Sequence, residues 1–329
     1  MITKGYKGFD GNLQCRERQY SIGEIAVVEG DLKLCENGIH FCENPLNVLG
    51  FYSPAFARYA QVEASGEILK EELGPFYLTK CCAREVLVRN EISADSLVLH
   101  AVAWMREHSN TAPHVWKETY GNDYISLTVE PDEGGYWMEN STLLIAANKN
   151  SCVINNQGSI AVALGRNSIA LSEGVWCTAS IANGSESAAI SRVSGSIAVT
   201  LGVNSVALAE GDDSVALAGG SSLAICKGDN SVGMSSFRNS KVRLEGDMSM
   251  AMAHGPVEVI GKGCVVMLAR DYDKKAYIRS VSGTRLLFPI MDGPELAEVV
   301  CGVDKAWPAG VPRQYDKILQ DYLKDNENV

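Results

Sequence analysis

The residues that could do chemistry crowd into the first quarter of the chain. Cys15, Cys35, Cys42, Cys81, Cys82 and His40 are the types that bind zinc or, as thiolates, attack electrophiles. The six residues between Cys35 and Cys42 exceed the short ligand loop of a structural zinc site, so these thiols are expected in a small core and no metal is expected. His100, His108 and His114 follow without a pattern. No Ser/His/Asp order, phosphate loop or metalloprotease motif is present.

A second set of charged residues is defined by period. Ser159, Ser168, Ser187, Ser196, Ser205, Ser214, Ser222, Ser231, Ser240 and Ser249 recur at about nine residues, with Cys177 on the vacant beat. In every second unit the residue five places on is Glu173, Arg192, Glu210, Lys227 or Glu245, so the sign alternates. Strands stacked at ~4.8 Å would make these five a ladder of opposite charges, each neighbouring pair contributing roughly 0.2–1 kcal/mol. The intervening units carry Leu164 and Leu201 there, which gives the repeat one charged and one uncharged side.

That periodicity specifies the elements that hold the ladder. Each unit alternates branched and small residues, as in Ser214-Val215-Ala216-Leu217-Ala218-Gly219, the two-residue period of a short strand followed by a corner. One strand and one corner bring the chain halfway round, so two units close a coil of about 18 residues. The fold class is mainly β: a two-sided β-solenoid of 9-residue units, an N-terminal α+β domain, and a small C-terminal β cap with a terminal helix. Branched residues at the second and fourth places are expected inside, with the strand ending at the fifth so that the charged sixth turns outward. The outer surface would then be smooth, built of Ser, Ala and Thr. Asp212, Asp229 and Asp247, one coil apart, are read as a solvated corner in preference to a cation site.

Four segments follow. Residues 1–110 form the α+β domain, with strands near 25–28, 59–68, 76–82 and 84–92, a helix over 46–59 interrupted by Pro54, and a second over 96–107 burying Leu97, Leu99, Val102 and Trp104. Residues 111–140 connect and cap the first coil, 141–260 are the solenoid, and 261–329 are the C-terminal cap, ending in a helix at 314–324. Open solenoid ends expose strand edges, which caps must cover.

The net charge is −11, and residues 1–140 carry most of it, with 12 basic against 21 acidic side chains. A nucleic-acid partner is not expected, because no region supplies a basic patch. No apolar run reaches ~18 residues and the start has no signal-peptide core, so no membrane partner is expected and the location expected is cytoplasmic, in the host cell, or virion-associated.

Tyr6-Lys7-Gly8-Phe9-Asp10, Cys15-Arg16, Gln19-Tyr20 and Cys35-Glu36-Asn37-Gly38-Ile39-His40-Phe41-Cys42-Glu43-Asn44-Pro45 together resemble an N-terminal domain family of phage and prophage proteins that precedes Ser/Ala/Gly repeats. The resemblance implies a genomic setting and no chemistry. Gly38-Ile39-His40-Phe41 followed by 59–63 is also similar in order to the nicotinamide pocket of ADP-ribosyltransferases, which would make Tyr6, His40, Tyr52 and Glu91 (or Glu85) catalytic and NAD the cofactor. The repeat wording resembles the heads of trimeric adhesins. Three functions stay open. The first is a non-enzymatic interaction protein, an oligomerising solenoid presenting the acidic domain to a host or phage protein and using no cofactor. The others are an NAD-dependent ADP-ribosyltransferase-like enzyme and a trimeric fibre or virion component. Arg16, Gln19 and Tyr20, with Leu164 and Leu201 on the uncharged side, are the candidate contact residues; the expected assembly is a homo-oligomer, with a trimer among the possibilities.

Overall fold

A computed structural model describes residues 2–73, 78–108, 110–111, 116–120, 123–128, 136–138, 143–146, 152–155, 160–173, 179–270, 275–281, 283, 285–288 and 297–300. The terminal helix expected at 314–324, Cys177, Ser159 and His114 lie outside the described residues. Two compact units divide between His108 and Ser109.

The N-terminal unit is built on one antiparallel sheet. Strands β1 (Thr3–Phe9), β2 (Gln14–Cys15), β3 (Arg18–Gln19), β4 (Ile25–Val27), β5 (Ile39–Phe41), β6 (Arg58–Leu73) and β7 (Leu78–Ile92) precede helix α1 (Ala94–His108). The sheet order is β1-β6-β7-β4, with β5 also on β7, while β2 and β3 form a separate hairpin. Phe9, Ile39, Phe41, Val62, Val86 and Val88 fill its core. The two strands expected over 76–92 are one, β7, whose long pairing with β6 absorbs register shifts at Gln61/Val62 and Ser65/Ile68.

The helix expected over 46–59 is confined to a 3-10 segment, Pro45–Gly50. Asn44 Oδ1 accepts the Leu46 N–H at 3.0 Å and Pro45 supplies a preset φ, so the start is capped as for a helix. Pro54 then prevents continuation by removing a donor. Helix α1 buries Leu97, Val98, Ala101, Val102 and Met105, a stripe at helical spacing that leaves Leu99 and Trp104 only half-buried.

The second unit is a β-solenoid of two eleven-stranded sheets whose coils stack in parallel. One sheet contains Ile160–Ala163, Ala179–Ala182, Ile197–Thr200, Val215–Ala218, Val232–Ser235, Met250–Ala253 and Cys264–Arg270; the other contains Ile169–Ser172, Ala188–Ser191, Val206–Ala209, Leu223–Cys226 and Lys241–Leu244. Parallel pairing starts before residue 141, where Asp123–Thr128 meets Leu143–Ala146, and continues past 260 to Cys264–Arg270. Antiparallel strands then end the two sheets, Lys275–Val281 on one and Arg285–Phe288 followed by Ala297–Val300 on the other. Ala179 pairs with Ile197.

The direction of the side chains reverses the expectation. Alanines at the third and fifth places, among them Ala198, Ala207, Ala216 and Ala218, make the core, and the branched second and fourth residues point outward. The sixth residue is outward by the same alternation, so the charged ladder needs no early strand end. Arg192 pairs with both Glu173 and Glu210, at 2.9 Å to the latter; Lys227 lies 3.8 Å from Glu210; Glu245 pairs with Arg243 at 3.0 Å.

The serine period is explained by hydrogen bonding between coils. Ser187 N–H donates to Ser205 Oγ and Ser205 N–H to Ser222 Oγ, while on the other column Ser214 N–H donates to Ser231 Oγ and Ser231 N–H to Ser249 Oγ. The same hydroxyls donate back to carbonyls of the coil before, as from Ser205 to Gly184 and Ser222 to Gly202. Just before the serines, Asn167, Asn204, Asp213 and Asn230 adopt φ near +55°, the left-handed corner that asparagine and aspartate tolerate. The repeat glycine is required for closeness instead: a Cβ on Gly228 or Gly246 would lie 2.2 or 2.0 Å from a carbonyl oxygen of the preceding coil. Asp212 and Asp229 each accept the next aspartate's N–H, and Asp247 the Lys262 N–H, so this column stitches coils.

Candidate functional site

A cavity of about 240 Å³ opens in the N-terminal unit between β1, β5, the 3-10 segment and the β2–β3 hairpin. Glycines on β1 create the room. A Cβ on Gly5 would stand 2.5 Å from the Phe41 ring and one on Gly8 2.5 Å from the Tyr52 ring, so both aromatics pack directly on the strand. Arg16 and Cys35, on the rim, both hold left-handed φ, at +57° and +66°, a strain that persists where surrounding contacts impose it.

Among the described residues, the cations Lys7, Arg16 and Lys80 line this space and no aspartate or glutamate does. Lys7 is 3% exposed; its Nζ donates to the His40 carbonyl at 2.9 Å and lies 5.0 Å from the Tyr20 ring centre and 5.4 Å from that of Phe9. Arg16 donates to the Cys35 carbonyl at 3.1 Å, and Lys80 Nζ is 2.7 Å from Cys35 Sγ. Tyr52 Oη donates to Cys15 Sγ at 2.9 Å.

His40 reports on the field. Its Nε2 accepts the Cys35 N–H at 2.9 Å. Burial first, then Lys80, Lys7 and Arg16, lower its pKa to about 4, against the Gly38 backbone, which favours the proton. The ring is thus neutral at physiological pH. Between pH 6.5 and 4 the unfolded chain takes up a proton that the folded one refuses, so His40 makes the fold less stable as pH falls through that window. Thermal melts should lose less over this range in His40→Gln than in wild type; equal slopes would remove His40 from the balance. Burial, and then the neighbouring Cys81, push the Cys42 thiol up to about 12 against the pull of Lys7 and Lys80, so it stays protonated.

The structure brings Tyr6, His40, Tyr52 and Arg16 to one cavity but leaves Glu91 outside it. Glu91 lies opposite Ala60 on the β6–β7 ladder and is held by Arg58, whose Nε and Nη2 reach its carboxylate oxygens at 2.6 and 2.5 Å. Glu85 is likewise absent from the lining and accepts from Ser65 at 3.3 Å. Tyr6 stands beside His100, with ring centres 5.8 Å apart. Gln19 braces the hairpin through the Asn12 and Tyr20 carbonyls, and Tyr20 is buried against Phe9. Sequence patterning singles out Cys35 as a thiol of the core but not Lys7 or Lys80. The signal for Lys7 was its place between Gly5 and Phe9 on one face of β1. Among the described residues no group of His, Cys, Asp and Glu could hold a metal ion.

The solenoid supplies a second surface. In the sheet containing Ala188–Ser191 and Val206–Ala209 the outward Ile190, Val206 and Leu208 are 0% exposed, whereas in the sheet containing Ile197–Thr200 the outward Ile197 is 41% exposed. Leu164 and Leu201 extend that open stripe at 44% and 57%.

An α+β unit followed by a β-solenoid is thus the class of this protein. Residues 3–100 match a family described as a domain of unknown function, DUF7666. Neither a curated protein nor a solved structure matches the chain. Among the described residues no helix is long and apolar enough to cross a membrane.

Proposed function

We propose that this is a non-enzymatic assembly protein whose solenoid self-associates through its open sheet face and presents the N-terminal unit. The observation carrying this reading is the contrast between the two sheets. Both turn branched residues outward, yet one buries them and the other leaves Ile197/Val199, Val215/Leu217, Val232/Met234 and Met250/Met252 half-buried or exposed. Strands buried on both faces are apolar on both; strands facing water normally alternate with polar residues.

A second copy is the occupant favoured by charge and size. The chain carries −11, so copies repel in general, but from Ile160 to Val265 the outward second and fourth places of the open sheet hold no charged residue. Seven rungs at ~4.8 Å and four residues at ~3.3 Å give a face of roughly 34 by 13 Å, and two such faces remove on the order of 1,000 Å² from water, where specific interfaces begin. Among the described residues no carboxylate lines the cavity, which argues against glycosyl transfer, a reaction that calls on one to stabilise a cationic transition state. A phage or prophage setting, and a host or phage protein as a further partner, rest on the motifs of the N-terminal segment.

The double variant Val199→Lys, Leu217→Lys tests this reading. It places like charges at the centre of the stripe and is expected to be a monomer with an unchanged far-ultraviolet spectrum. An undiminished oligomer would move the interface elsewhere.

A further inference from the structure

Lys7 is a buried ammonium with no carboxylate partner among the described residues. Its contacts are a carbonyl, two aromatic faces and the neighbouring Cys15 thiol. Burying a charge without a counterion is costly, and proteins normally pair it or lower its pKa. Burial does lower the pKa of Lys7, and Arg16 adds to the push. Yet the wall beside it holds two further cations, Arg16 and Lys80, rather than an acid. Like charges converging on one cavity oppose one another, with Lys80, Lys7 and Arg16 adding to burial in lowering the pKa of His40, and an anion entering the cavity would offset the repulsion between Lys7 and Arg16.

We infer that the N-terminal cavity is a binding site for a small organic phosphate with a flat apolar body. A dianion matches a site lined by three cations, with Arg16 able to donate two parallel hydrogen bonds. The flat body is assigned to Phe41, Phe51 and Tyr52, which offer ring surface in the same cavity. A cavity of about 240 Å³ admits a single ring with its phosphate and excludes a folded polymer or a peptide of any length.

Phenyl phosphate, inorganic phosphate and phenol, titrated calorimetrically into the full chain, separate the parts of this site. Phenyl phosphate should bind at least tenfold more tightly than either of the others. Lys7→Met should weaken it at least tenfold, and Arg16→Ala, at an exposed rim position, should weaken it several-fold with the melting temperature unchanged. Absence of phenyl phosphate binding at millimolar concentration would overturn the proposal. So would equal affinity for inorganic phosphate, or affinity that neither variant alters.

Discussion

Gly228→Ala is expected to unfold the solenoid or render it insoluble. Its new methyl carbon would sit 2.2 Å from Gly211 O and 2.3 Å from Gly211 C, both backbone atoms of the preceding coil. A side chain could swing away; a stacked backbone moves only if the coils separate, and Gly246 on the other side repeats the same contact with Gly228 O at 2.0 Å. The cost should therefore exceed the 1–3 kcal/mol of ordinary overpacking, at least about 3 kcal/mol. Gly220→Ala is the control. Its nearest neighbour is Val203 Cγ1 at 3.3 Å, the end of a side chain, so a change within about 1 kcal/mol is expected. Chemical denaturation of both variants decides it. Equal midpoints would mean that the glycine column is not a packing requirement.

Ser205→Ala is the second large effect. The hydroxyl accepts the Ser187 N–H at 3.2 Å and donates toward the Gly184 and Val203 carbonyls at 3.3 and 3.1 Å, all in a site that is 0% exposed. Alanine leaves a buried donor without its acceptor and buried carbonyls without this donor, which costs about 1–3 kcal/mol. For a unit of this size the melting temperature should fall by roughly 2–10 °C. Ser205→Cys should recover part of the loss, because Cys264 already takes the serine's place in a later coil, with its Sγ 3.5 Å from Gly246 O. A melt unchanged in Ser205→Ala would show that the serine columns are not what ties the coils together.

These two columns explain why so much of the solenoid was legible in the sequence. Most units carry a hydroxyl at one place and glycine at another, so the pattern repeats in the chain with the period of the structure. What could not be read was which face is inside. Alternation of large and small residues separates two faces but does not rank them, and the usual rule sends the large ones inward. Here the sheets enclose alanines such as Ala198, Ala207 and Ala216, and Ile197, Val199 and Leu217 point outward. The ladder of Glu173, Arg192 and Glu210 held the clue, since charged sixth residues cannot share a core with the second and fourth.

The N-terminal cavity was half legible for a related reason. Tyr6, His40 and Tyr52 were found through motif order and do meet. Glu91 was placed with them by the same order, but strand pairing sets it opposite Ala60, where Arg58 holds it. Lys7 and Lys80 come from β1 and β7, distant in sequence, and no local spacing announces that their side chains converge. Glycine determines the site as much as the charged groups do, because only Gly5 and Gly8 let Phe41 and Tyr52 lie against β1.

The central claim is self-association through the open sheet, and light scattering behind size-exclusion chromatography tests it most directly. Over a range of loading concentrations the wild-type chain should run at a fixed multiple of 35.4 kDa, and Val199→Lys, Leu217→Lys at 35.4 kDa itself. A wild-type mass of 35.4 kDa at every concentration would contradict the account.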